Sequence, residues 1–376
     1  MPSYKYKEMN YSYWEIKEWF TKVDFTIVGS GIVGLNCALK LREKHPKAKI
    51  LIIEKGMLPQ GASSKNAGFA CFGSLSELID DLKTHTEEEV VNLVKKRWDG
   101  LQLLRKNLGD KTIDFQQNKG YELFLETNFY EECLSEKEKI NQLLAPIFKK
   151  DVFTVDKNIF KFAKIHPQYI TNNFEGQIDT GKMITQLLQK VLSLGVRIVN
   201  NCTVKSFSDH KTSVTIQTES IEFSTQKLFI ATNGFAQQLL QENIQPARAQ
   251  VLITKPIDNL SIKGTFHLDK GYYYFRNIDN RILFGGGRNL DFKGEETSVF
   301  GETELIQNKL EEILKETILP NSSFEIEHRW SGIMGVGNQK KAIVKPISNN
   351  VFCGVRLGGM GVAIGSLVGN ELADLE

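Results

Sequence analysis

No Cys-x-x-Cys spacing occurs in this 376-residue chain, and its six histidines form no metal-ligand pattern. Five scattered cysteines, an odd number, exclude a disulfide-framed scaffold and read as reduced, buried thiols of a cytoplasmic protein. Also missing is any apolar run near the ~18 residues that a membrane span needs. The opening MPSYKYKEMNYSYWEIKEWF lacks the apolar core of a signal peptide. Charge of one sign is missing too: 47 Lys and Arg stand against 45 Asp and Glu, so a broad basic face for nucleic acid gets no support. There is no internal repeat and no low-complexity tract. What is present is a composition of 41% apolar and 24% charged residues, ordinary for a folded chain whose length suggests about two domains.

The most informative stretch is DFTIVGSGIVGL, residues 24–35. It reads as a buried strand, a glycine turn and a helix start. Gly29 allows a tight turn, Gly31 lets backbone approach a pyrophosphate, and Gly34 lets helix and strand pack closely. The helix beginning at Ile32 would offer N–H groups and partial positive charge. AKILIIEK, residues 48–55, is a second strand, so the segment is a βαβ unit with parallel neighbours. Glu54 ends that strand at the distance where a carboxylate can accept from both hydroxyls of an adenosine ribose. It would repel a 2′-phosphate, which argues against NADP. This spacing alone leaves FAD and NAD open.

GASSKNAGFACFGS, residues 61–74, is too irregular for a strand and too rich in glycine for a helix. Helical, charged sequence follows to about residue 150. Thr86 and Glu89 form a capping box, and Ser135 with Glu138 gives a similar start signal. These helices read as an insertion outside the nucleotide-binding core. Asp179 precedes a helix that Gly195 stops. VRIVNNCTVKSF, VTIQTESIEF and KLFIATNGF read as strands, residues 246–300 are strand-rich, and GETELIQNKLEEILKETIL is one amphipathic helix.

GASSKNAGF at 61–69 resembles the second cofactor motif of the D-amino-acid-oxidase-like FAD-dependent oxidoreductases, which include glycine oxidase, sarcosine oxidase and γ-glutamylputrescine oxidase. SYW at 12–14, ATNGF at 231–235, GYYYFRNIDNRILFGGGR at 271–288, WSGIMG at 330–335 and RLGGMGVAIGSLVGNELA at 356–373 continue the resemblance in order along the chain. The resemblance implies FAD rather than NAD. It implies that Gly29, Ser30, Gly31, Ile32 and Gly34 hold the pyrophosphate and that Glu54 and Lys55 lie at the adenosine end. Ala62, Ser63, Lys65, Asn66 and Gly68 would run along the pyrophosphate and flavin, and Val204 would meet adenine through its backbone. Thr232 and Gly332 would lie beside the cofactor. Gly358, Gly359, Met360 and Gly361 would bring N–H groups and a helix start to the flavin's pyrimidine side, where negative charge develops on reduction.

Two departures from the family pattern matter. Amino-acid-oxidising members hold the substrate carboxylate with an arginine just after the Trp-x-Gly segment; here Met334 takes that place. A carboxylate without an arginine is poorly held in a dry pocket, unless Arg276 or Arg356 substitutes. Arg356 stands where the family usually has glycine, so it either reaches the flavin or substrate or is a surface arginine. Covalent members attach flavin through a cysteine before the closing glycines; VGNQKKAIVKP, residues 336–346, has none, so non-covalent FAD is expected. Cys71 reads as a small buried thiol. On the alternating run Tyr272 to Phe275, Tyr272 and Tyr274 share the face that could line a substrate pocket, with ordinary strand packing the other reading.

The expected fold is α/β. A discontinuous, Rossmann-like FAD-binding domain would take residues 1–84, 161–232 and 331–376; a substrate domain of mixed or antiparallel sheet plus helices would take 85–160 and 233–330. The expected reaction oxidises a C–N bond of an amine or amino-acid-like substrate by hydride transfer to flavin N5, giving an imine that water hydrolyses. Oxygen or another acceptor would reoxidise the flavin. The alternatives are a dehydrogenase using a non-oxygen acceptor and a flavin-binding protein without turnover. No side chain need act as acid or base in such chemistry. Lys65, Arg276 and Arg356 are the candidates for a positive charge near the reacting groups.

Overall fold

The structure is a computed structural model describing residues 10–376, so the reading of the first nine residues lies outside it. Val23–Val28 is a central strand of an eight-stranded sheet. From one edge the order runs Ile343–Pro346, Val351–Val355, Glu222–Ile230, Val23–Val28, Ile50–Ile53 and Arg197–Val199. The last five are mutually parallel, with Val28 aligned to both Ile53 and Ile230. Val204–Asp209 and Val214–Thr218 extend antiparallel from Glu222–Ile230. The inner strands are buried on both faces, which is why they read as unbroken apolar runs rather than alternating ones. The expected single strand over VRIVNNCTVKSF is two, broken near Asn201, which adopts a φ of +53°.

The closing helix Gly361–Ala373 is largely apolar, and nine of its thirteen residues are buried. It packs against Ile32–Lys44 and Glu87–Leu108. Gly100 permits the second contact: a Cβ there would lie 2.3 Å from the Ala363 carbonyl oxygen. Leu101, Leu104 and Leu108 enter the same core as Leu35 and Ile52. Helix Glu87–Leu108 is therefore part of the first layer system, not the insertion expected from its charged sequence. Its capping box forms as read, with Thr86 Oγ1 accepting from the Glu89 N–H at 3.2 Å.

The second sheet also has eight strands. Its order is Ile326–Val336, Gln245–Thr254, Arg281–Gly286, Tyr273–Ile278, Thr265–Leu268, Gly120–Leu123, Gln168–Asn172 and Phe153–Lys157. All pairs are antiparallel except Thr265–Leu268 with Gly120–Leu123. One face carries Phe266, Phe275 and Phe284 against helix Glu304–Ile313 and the wider turn that continues it to Ile318. Strand Gln168–Asn172 belongs to this sheet, although the division read from sequence placed residues 161–232 with the first. Ser135 starts no helix: it lies inside Thr127–Phe148, and its hydroxyl donates to the Glu132 carbonyl at 2.8 Å.

Candidate active site

A cavity of about 540 Å³ runs from the glycine turn of the first sheet to the second sheet's outer face. Gly29, Gly31 and Ile32 line its start. Gly34 lies inside the helix, where a Cβ would sit 1.9 Å from the Gly29 carbonyl oxygen, so close packing accounts for it. Ser30 is fully buried and does not line the cavity. Its N–H (3.0 Å) and its hydroxyl (2.7 Å) both donate to Glu54 Oε2, while the Gly56 N–H donates to Oε1 at 3.0 Å. Glu54 thus braces the turn besides facing the cavity. Lys55 also lines it, with its ammonium 3.3 Å from the Phe235 ring centre, and burial holds its pKa down.

The segment after the βαβ unit is braced from within. Ser63 Oγ accepts from the Ile32 N–H at 2.9 Å, which ties the segment to the helix start. Asn66 donates to the Ser63 carbonyl at 2.8 Å and accepts from the Gly68 N–H at 2.9 Å. Trp330 Nε1 donates to the Lys65 carbonyl at 2.9 Å, joining the segment to the second sheet. Ala62, Ser63, Lys65, Asn66 and Gly68 all line the cavity, as do Val204, Thr232 and Gly332.

At the far wall of the cofactor end, Gly358, Gly359, Met360 and Gly361 open the closing helix. A Cβ at Gly358, Gly359 or Gly361 would meet no atom within 4 Å. Neither this helix nor Ile32–Lys44 carries a capping side chain of its own. Two helix starts, a stretch without Cβ atoms and a buried carboxylate make a cradle that fits a dinucleotide.

The substrate end is built from the second sheet. Tyr272 and Tyr274 line it, and Tyr273 and Phe275 point into the opposite core, as the alternation required. Met334 lines it as well. Arg276 does not. It lies further along the strand than Tyr274, is 2% exposed, and its Nη2 sits 3.1 Å from where a Gly68 Cβ would be. Burial lowers its pKa to about 10. Arg356 does not line the cavity either, and it is not a surface residue. Its backbone has a φ of +62°, and its guanidinium donates to the Asn243 and Lys341 carbonyls at 3.2 and 3.0 Å. Neither arginine chosen from the sequence lines the cavity.

Several lining residues escaped the sequence reading. Phe69 stacks edge-on against Tyr274 and His267. His267 Nε2 lies 2.6 Å from Oε1 of the fully buried Glu175, which also accepts from Thr265 Oγ1 at 2.7 Å. Burial pulls the His267 pKa down, but the Glu175 charge and hydrogen bond, with Glu77 and Glu122 nearby, outweigh it and raise the value to about 9. The imidazole is a cation at neutral pH. The signal available was parity: in Thr265–Leu268, Phe266 and Leu268 are core, which leaves His267 on the other face. Glu77, Asp80, Lys270, Arg288 and Lys340 complete the charged surroundings. Lys340 pairs with Asp81, and Glu77 Oε2 accepts from the Ser74 N–H at 2.9 Å. Cys71 lines the cavity as a buried thiol, its pKa raised by desolvation.

Residues 24–375 match the family described as FAD dependent oxidoreductase. A probable oxidoreductase, OrdL, of Haemophilus influenzae is 21% identical over 93% of this chain and 82% of its own. The gamma-glutamylputrescine oxidoreductase of Escherichia coli is 22% identical over 94% of this chain and 83% of its own. Among solved structures, glycine oxidase from Geobacillus kaustophilus superposes with a TM-score of 0.76 at 17% identity, covering 94% of each chain. L-proline dehydrogenase from P. horikoshii gives 0.74 at 18%, covering 94% of this chain and 93% of its own.

Proposed function

Since the chain belongs to the FAD-dependent oxidoreductase family, we propose that it binds FAD non-covalently along the glycine-rich cradle and oxidises a C–N bond of a small amine or amino-acid-like substrate. The observation that carries this reading is the continuity of one cavity from the Gly29–Gly31 turn to the Tyr272–Tyr274 wall. Bound there, FAD would supply the hydride acceptor, and the oxidised substrate would leave as an imine that water hydrolyses, with oxygen or another acceptor taking the electrons onward.

The protein's own part is positioning. Tyr272, Tyr274 and Phe69 offer an aromatic wall for the substrate's apolar carbons. Lys65 places a positive charge in the cavity on the cofactor side. The five cysteines are unpaired and buried, which supports non-covalent binding and a cytoplasmic setting. The test is the visible spectrum before and after acid precipitation, followed by anaerobic addition of amines. Flavin colour in the supernatant and bleaching by an amine are expected. Colour in the pellet would refute non-covalent binding, and a flavin that no amine reduces would refute the reaction.

A further inference from the structure

Resting on the amine-oxidation reading, we propose that Arg288 anchors a carboxylate on the substrate, so that the site takes amines that also carry an acid group in preference to plain alkylamines. Four cations line the cavity without a carboxylate at ion-pair distance among the described residues: Lys55, Lys65, Lys270 and Arg288. Lys55 lies on the Phe235 ring beside the nucleotide turn, and Lys65 lies 5.5 Å from the Phe300 ring centre. Lys270 is exposed, with its ammonium over Phe129. Arg288 is half-buried, and among the described residues its guanidinium has no hydrogen-bond acceptor, only the face of Phe292 at 4.9 Å.

The local sequence builds that placement. Gly285 has no Cβ because the Tyr274 ring occupies the space: an added Cβ would lie 2.8 Å from it. Gly286 and Gly287 adopt φ of +127° and +78°, and the Gly287 N–H donates to the Tyr272 carbonyl at 3.0 Å. The strand therefore ends in a turn that holds Arg288 on the same wall as Tyr272, both packed on Phe292. A guanidinium has five N–H donors in a planar fork, which match the two oxygens of a carboxylate. Partial burial lowers the Arg288 pKa, so its charge is incompletely solvated and gains from an anionic partner. Glu77 and Asp80 also line this end. Their charge suits the amino group of such a substrate and not its acid group, which leaves Arg288 as the partner for the carboxylate.

The test uses the oxidised flavin-loaded enzyme and needs no turnover. Straight-chain carboxylates from acetate to hexanoate, and their neutral amides, are titrated at constant ionic strength while the visible flavin band is followed. At least one carboxylate should bind. Its Kd should rise about ten-fold or more in R288Q, the equivalent of about 1.4 kcal/mol, and by less in R288K, while the matched amide is indifferent to both changes. An unchanged Kd in R288Q, or a wild-type enzyme that binds none of the carboxylates, would overturn the proposal. R288M repeats the comparison should R288Q fail to retain flavin; loss of flavin in both would make Arg288 a structural residue and end the proposal as well. Failure of the amine reading shows elsewhere, as a flavin that no amine bleaches, and leaves this titration readable.

Discussion

Glu175 and His267 form a buried ion pair at the wall of the cavity, and its energetics set a pH dependence. His267 has a folded-state pKa of about 9, above its ordinary 6.5. A raised histidine stabilises the fold fully below pH 6.5, and that contribution is lost as pH rises through about 9. Roughly 2.5 pH units at 1.36 kcal/mol each make it about 3 kcal/mol. In Glu175→Gln the main raising influences are gone and burial is opposed only by Glu77 and Glu122, so the imidazole pKa falls. Stability at pH 6.5 should fall by about 3–5 kcal/mol, as when one partner of a buried pair is removed. Denaturant curves across pH should show the gap between wild type and variant closing above pH 9; a gap independent of pH would remove the pair from the account. Lys65→Met should slow flavin reduction or reoxidation, measured in anaerobic and aerobic stopped flow, and unchanged rates in both would exclude a role for that charge. The two arginines chosen from sequence show the limit of residue reading. Gly29, Gly31 and Gly34 are legible because they fall at fixed spacing in one strand–turn–helix unit. Arg276 owes its position to Gly68, and Arg356 owes its position to Asn243 as well as the nearer Lys341; Gly68 and Asn243 lie far from them in the chain.

The helix Glu87–Leu108 shows which properties of an element are written locally. Its start is, because Thr86 and Glu89 complete a capping box within four residues. Its membership is not, because that depends on Gly100 meeting Ala363 and on three leucines meeting a core made by other segments. The Ser135–Glu138 signal fails for a related reason. The helix Thr127–Phe148 is committed by the buried face Tyr130, Cys133, Ile140 and Leu144, and its interior serine simply bonds back to Glu132. Packing, not propensity, therefore governs Gly100. Alanine is the better helix former by about 1 kcal/mol, yet its Cβ would lie 2.3 Å from a backbone oxygen that cannot swing away. Gly100→Ala should destabilise by about 1–3 kcal/mol, the usual cost of overpacking. Thermal or denaturant unfolding measures it, and a variant more stable than wild type would show that the two helices can part without penalty.

At the scale of the whole molecule, one cavity is shared by two sheets that each have their own apolar core. The order of motifs along the sequence was enough to anticipate a glycine turn at one end of the cavity and tyrosines at the other. The charged surroundings of the substrate end were not legible, since Glu77, His267, Arg288 and Lys340 come from four separate segments that only the fold brings together. The cradle itself is shared in the same way. The first sheet contributes Gly29 and Gly358, the segment 61–69 is pinned by Trp330 of the second sheet, and Gly332 packs on Lys65. A ligand lying along it touches both halves, so its binding energy should stabilise both. Apo-protein supplied with FAD at 100 times its Kd should gain about 2.7 kcal/mol. Spread over an unfolding entropy scaled to 376 residues, that is a rise in Tm of roughly 3 °C. Differential scanning calorimetry with and without FAD should show one transition moving as a whole. Two transitions of which only one moves would mean that the second sheet unfolds independently of the nucleotide, and that the contacts through Trp330 and Gly332 do not couple the halves.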